Sequence, residues 1–169
     1  MDKPIQGYRD LRSGRCSITG QLYLVTTVTW KRHNYFRDFS AAIAASRIVS
    51  LPTLFAPSRC LCWVLMPDHW HGLIELGGES LATMMQRFKG VSARRLRSET
   101  TINKDPIWTK GFHDRALRRD ESVSMAARYI IANPVRAGLV GDPMDYPYWG
   151  ADFLGHELNL EGIAPIRRD

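Results

Sequence analysis

The sequence predicts an α+β protein built on a ferredoxin-like antiparallel sheet, with helices packed on one of its faces. Three observations lead there. Segments rich in β-branched and aromatic residues alternate with segments whose apolar residues recur at helical spacing. Their order is strand, helix, strand, strand, helix, strand, helix, which is the split-βαβ arrangement. The second and third strands are separated only by Pro67-Asp68, a turn dipeptide, so they form a hairpin.

The first strand is Gln21–Trp30, QLYLVTTVTW, dominated by residues that favour a pleated surface. Arg37–Ser50 carries alanines and isoleucines at helical spacing and stops before Pro52. Cys60–Met66, CLCWVLM, is apolar at every position, as suits a strand buried on both faces. His69–Leu76 is its hairpin partner, broken by Gly77-Gly78. Ser80 caps a helix whose apolar stripe is Leu81, Met84, Met85, Phe88 and Val91, reaching Leu96. Phe112–Arg118 follows a polar loop as the next strand. Asp120 or Ser122 opens the last helix, which ends near Asn133 because Pro134 disfavours helical geometry in the residue before it. No repeat or low-complexity segment interrupts the chain. The expected division is a basic lead-in arm at 1–20, a core domain at 21–142 and a C-terminal extension at 143–169. Beyond Gly155 the tail is loose polar sequence.

Composition narrows the classes of function. The 169 residues, 44% hydrophobic and 24% charged, suit one globular domain with a sizeable core. A net charge of +6 and a pI near 9.5 favour a polyanionic partner. Nucleic acid is preferred over membrane, because no basic amphipathic helix with exposed aromatics stands out. No apolar run approaches the roughly 20 residues of a membrane helix. The opening MDKPIQGYRDLRSGR lacks the apolar centre of a secretory signal. Cys16, Cys60 and Cys62 are an odd, sparse set that points to a reducing compartment. Cys60 and Cys62 read as small core residues. A cytoplasmic, nucleoid-associated protein is expected.

The stretch MPDHWHGLIEL holds two of the five histidines. Strand alternation puts His69 and His71 on one face and Trp70 on the other, packed into the core. Two imidazoles at this spacing can close on one divalent ion. Two ligands do not make a site, however, and the spacing alone favours an ordinary polar strand face. Asp68 could orient a ligand histidine, but alternation points it away from His69, so a turn role is favoured. On the last helix, Val123, Ala126, Ala127, Ile130 and Ile131 form the buried stripe. Tyr129 falls outside it, with Asn133 one turn further along the same face. Spacing alone favours a half-buried tyrosine at a helix edge. The same position also lets a hydroxyl face a substrate and an amide oxygen face a hard cation.

Together, LRSGRCSITGQLYLVTTVTW, VLMPDHWHGLIEL, FKGVSARRLR, IWTKGFHDRALRRDESV and ARYIIANPVRAGLV resemble the REP-associated tyrosine transposases of the single-tyrosine HUH nuclease superfamily. The resemblance runs from about Tyr8 to Phe153, and His-x-His joined to YIxxNPxRAGLV at this distance is specific. It implies the HUH nuclease fold, with His69 and His71 as paired metal ligands, Tyr129 as nucleophile and Asn133 as third ligand. Relatives are more often aliphatic where Trp70 stands, and tryptophan keeps the hydrophobic character. The implied metal is Mg²⁺ or Mn²⁺, since amide and water ligands suit hard ions. The implied activity is cleavage and rejoining of single-stranded DNA at palindromic REP-type hairpins, through a covalent 5′-phosphotyrosine. A monomer is expected rather than a dimer that exchanges tyrosine helices. A hairpin-binding protein that keeps the fold without cutting is the alternative, but binding alone requires none of His69, His71 and Tyr129. A metallohydrolase using water would need no tyrosine and would prefer carboxylate ligands.

Basic residues accompany these motifs. Arg87, Lys89, Arg94, Arg95 and Arg97 crowd one helix and its end, and Arg115, Arg118 and Arg119 precede the tyrosine helix. Such residues bind phosphates, position DNA and make binding salt-dependent, although each alone also fits a solvated face. Arg12 and Arg15, with Arg9 and Gly14, resemble a family segment that helps read DNA beside the hairpin. Trp108 and Phe112 are candidates to stack on unpaired bases, with core packing expected for at least one.

Overall fold

The central hairpin is apolar on both sides, and the fold is organised by covering both. The computed structural model describes residues 17–102 and 106–152. Within them, β1 (Leu22–Val28), β2 (Arg59–Met66), β3 (His69–Glu75), β4 (His113–Ala116) and β5 (Trp149–Ala151) form one sheet. The order is β4-β1-β3-β2-β5, and every neighbouring pair is antiparallel. β1 and β2 therefore run parallel with β3 inserted between them, and α1 (Phe39–Val49) makes the crossover. This is the expected α+β architecture.

α1 and α2 (Leu81–Glu99) cover one face, where Val25, Leu65, Trp70 and Ile74 meet Ala42, Ile48, Met84 and Phe88. The other face belongs to α3 (Val123–Ile131) and the single turn α4 (Asn133–Arg136). There Cys62, Val64, Met66 and Leu73 meet Ala126, Ala127 and Ile130. Helices thus lie on both faces, not on one as the element order suggested. The reason lies in β2, whose unbroken apolar run presents two surfaces that both need covering.

Side-chain caps start each long helix. Asp38 accepts from Ala41 N, Ser80 from Thr83 N and Ser122 from Met125 N, so Ser122 rather than Asp120 opens α3. After Ile131 the helix breaks at Ala132 and resumes with Pro134 in the first turn of α4, where a missing N–H is harmless. Part of the segment after 142 joins the sheet as β5, and Tyr146 Oη donates to Leu65 O at 2.7 Å. Arg9, Arg12, Gly14, Arg15 and Cys16 lie outside the described residues, as does the tail from 153. No helix among the described residues is long and apolar enough to cross a membrane.

Trp70 is fully buried between Phe88 and Phe55, with ring centroids 4.6 and 6.1 Å away. Its indole lies across Gly72 on the same face. A Cβ there would stand 2.2 Å from the ring, so the close approach requires glycine.

Candidate active site

The register of β3 against β1 sets His69 opposite Val28 and His71 opposite Thr26, on the face that α3 covers. The two imidazoles meet edge to face, with centroids 4.6 Å apart. Each has its Nδ1 engaged. His69 Nδ1 pairs with Asp68 Oδ1 at 2.5 Å, and His71 Nδ1 pairs with Thr26 Oγ1 at 2.6 Å. With Nδ1–H donating in both, each Nε2 keeps its lone pair, the form in which histidine ligates a metal.

Asp68 makes the contact with His69 that strand alternation disfavoured. It sits in the turn, where the alternation of the ladder no longer governs direction, and its carboxylate folds back onto His69. Arg32 reaches the other carboxylate oxygen at 2.9 Å, and Thr29 Oγ1 fastens the turn through Asp68 O at 3.0 Å. Burial works against the charge of Asp68, yet the bonds from His69 and Arg32 hold its carboxyl below the usual range. Burial, and then proximity to His69 and to the Arg136 guanidinium, pulls His71 down to about 4. His71 is therefore neutral at physiological pH.

Tyr129 stands off the buried stripe of α3 and is 52% exposed. It lines a groove of about 750 Å³ shared with Thr26, His71, His113, Arg115 and Met125. The guanidinium of Arg136 lies over the tyrosine ring, 4.3 Å from its centroid. Asn133 turns its amide nitrogen inward, donating to Tyr129 O at 3.1 Å and Ile130 O at 3.0 Å. Ile130 O is the carbonyl that Pro134, lacking an N–H, leaves without its helical donor. Because carbonyls need a donor, the nitrogen must be the inward atom, and Oδ1 is left as the group a cation can take.

Among the described residues, no three His, Cys, Asp or Glu side chains are grouped to hold a metal. A metal at the imidazole pair would therefore need an amide such as Asn133, water or phosphate to complete its shell. By type the donors suit a divalent ion: two imidazoles 4.6 Å apart, and on the break after the tyrosine helix an amide whose nitrogen is taken up by Tyr129 O and Ile130 O.

The basic residues separate into groups. Arg87 is held inside by both oxygens of Glu79 and by the carbonyls of Leu54 and Phe55. Lys89 donates to Thr109 O at 3.0 Å and to Gly111 O, with Phe112 under its ammonium. Both fasten α2 to neighbouring loops. Arg94, Arg95 and Arg97 are exposed at the C-terminal end of α2, and Arg118 and Arg119 are exposed before α3. Arg115 is exposed on β4, paired with Glu121 at 2.6 Å. Trp108 is core, its indole donating to Ser92 Oγ at 2.9 Å, while Phe112 is half-buried. Cys60 and Cys62 are free thiols in the interior; burial raises both, Cys62 to about 12.

Sequence reasoning did not find Thr26 or Arg136 as parts of the site. Thr26 lies in a threonine-rich strand with nothing local to set it apart. Arg136 lies two helical turns after Tyr129, a spacing that could have flagged it.

Residues 21–133 match the family described as IS200-like transposases. Among solved structures, a REP-associated tyrosine transposase bound to a REP hairpin is 22% identical. That match covers 80% of this chain and 79% of the other, with a TM-score of 0.61. A candidate transposase from Deinococcus radiodurans R1 is 21% identical over 64% of this chain and 87% of the other, with a TM-score of 0.51. At these identities the likeness is one of fold. No curated protein matches the chain.

Proposed function

The chain belongs to the IS200-like transposase family, and from that premise we propose that it cleaves and rejoins single-stranded DNA at palindromic hairpins of the REP type, with Tyr129 as nucleophile. The observation that carries this reading is the half-exposed Tyr129 sharing one groove with His71, whose own Nδ1 is occupied. His69, His71 and Asn133 would hold a divalent ion, Mg²⁺ or Mn²⁺, which when bound would polarise the scissile phosphate and offset its growing charge.

Phenols are weak nucleophiles at neutral pH, so position matters as much as activation. Tyr129 Oη would attack phosphorus, forming a bond to the 5′ phosphate as the bond to the 3′ oxygen breaks. The departing oxygen takes a proton and becomes a 3′ hydroxyl. The phosphotyrosine link conserves the phosphodiester, so a 3′ hydroxyl can later attack it and free Tyr129. Exposed Arg94, Arg95, Arg97, Arg115, Arg118 and Arg119 would contact the DNA backbone, joined by Arg12 and Arg15. Arg87 and Lys89, bonded inward, would support α2 instead. One chain would supply the whole site, acting as a monomer.

Incubation of labelled hairpin single strands with Mn²⁺, resolved on denaturing gels, tests this. The expected result is a covalent protein–DNA adduct that disappears in Tyr129→Phe. Cleavage surviving in Tyr129→Phe would make water the nucleophile. Tight hairpin binding with no adduct under any metal would make the protein a binder.

A further inference from the structure

We propose that Arg136 binds the scissile phosphate and holds it against Tyr129, resting on the tyrosine ring when no DNA is present. This rests on Tyr129 acting as the nucleophile. Arg136 closes α4, and across the break at Ala132 its guanidinium returns to the ring of Tyr129. Its position is fixed at both ends. Pro134 starts the turn, Arg136 N donates to Ala132 O at 3.0 Å, and Gly138 ends the turn with a left-handed φ of +70°.

Several other arginines of the fold already have carboxylate partners. Arg32 is paired with Asp68, Arg87 with Glu79 and Arg115 with Glu121. Arg136 is exposed, and among the described residues its guanidinium meets no carboxylate, only the face of Tyr129. Its positive charge also reaches His71. A cation without an anion thus lies on the face of the tyrosine and within electrostatic reach of His71, on the side from which an anionic reacting group would approach Tyr129. A guanidinium offers paired donors that match two phosphate oxygens. An exposed cation–π contact is weak beside such charge-assisted bonds, so the exchange from ring to phosphate is favourable. The same movement leaves the phosphate next to the ring that must attack it. No bond is made or broken by Arg136, which only donates hydrogen bonds.

The test uses the full chain with Mn²⁺ and hairpin single strands, comparing Arg136→Met, Arg136→Ala and Arg136→Lys with the unmodified protein. Adduct formation is followed in single turnover at increasing DNA, separating the saturating rate from half-saturation, with thermal unfolding measured alongside. The expected result is a saturating rate lowered by about 10²-fold in Arg136→Met, with unfolding unchanged. Arg136→Lys should recover part of the loss. Free guanidinium should accelerate Arg136→Ala but not the unmodified protein. An unchanged rate in Arg136→Met overturns the proposal. So does a slowed rate that tracks lowered thermal stability and that neither lysine nor guanidinium restores. Absence of any adduct with the unmodified protein would overturn the tyrosine reading, and this proposal with it.

Discussion

Thr26 and Asp68 touch the histidines at Nδ1, the atom that would not face an ion in the proposed site. Where Nδ1–H donates to them, Nε2 is the nitrogen left to ligate. Thr26→Val keeps the β-branched shape on β1 and removes only the hydroxyl. Mn²⁺ affinity, measured by calorimetry, is expected to fall about 10-fold or more, with thermal unfolding nearly unchanged. Undiminished affinity would leave Thr26 a purely structural neighbour. His71 also makes stability depend on pH. Its folded value of about 4 lies below its ordinary 6.5 because burial, and then the neighbouring His69 and Arg136, disfavour the imidazolium. Between those values the unfolded chain takes up a proton that the folded chain refuses. Stability is therefore fully present above about pH 6.5 and is lost as pH falls toward 4, by on the order of 2–3 kcal/mol. Denaturant titrations in chelator across that range should show the slope, and His71→Asn should flatten it. A pH-independent midpoint would rule the account out.

At the scale of the element, the β2–β3 hairpin shows how a core residue sets the geometry of a site. Trp70 is anchored between Phe55 and Phe88 on one face, and alternation then fixes His69 and His71 on the other. The anchor requires that nothing project from Gly72. Gly72→Ala is expected to destabilise the fold by about 1–3 kcal/mol, because the indole has to leave its packing position. Thermal unfolding measures it, and an unaltered midpoint would show that the hairpin can absorb the Cβ. The alternation of this strand was legible from HWHG alone, whereas the tight approach of indole to Gly72 was not, since it depends on rotamer and packing. The Asn133-Pro134 pair is similar. Proline announced a break near that point, but the inward bonds of the Asn133 amide across it, and the contact of Arg136 with Tyr129, appear only in three dimensions.

At the scale of the molecule, two helical layers cover two faces, and Tyr129 comes to His71 only because α3 takes the face opposite α1 and α2. The order of elements, the shared face of His69 and His71, the burial of Trp70 and the position of Tyr129 off its helix's apolar stripe can all be read along the chain. Those follow from periodicities of 2 and 3.6, which are local properties of a chain. Tertiary structure alone decided which face α3 covers and that Asp68 folds back onto His69. It also decided that Thr26 lies opposite His71, that Arg87 and Lys89 bond inward, and that Arg136 keeps no carboxylate partner among the described residues. Each of these depends on groups brought together by sheet register and packing, which local periodicity does not encode.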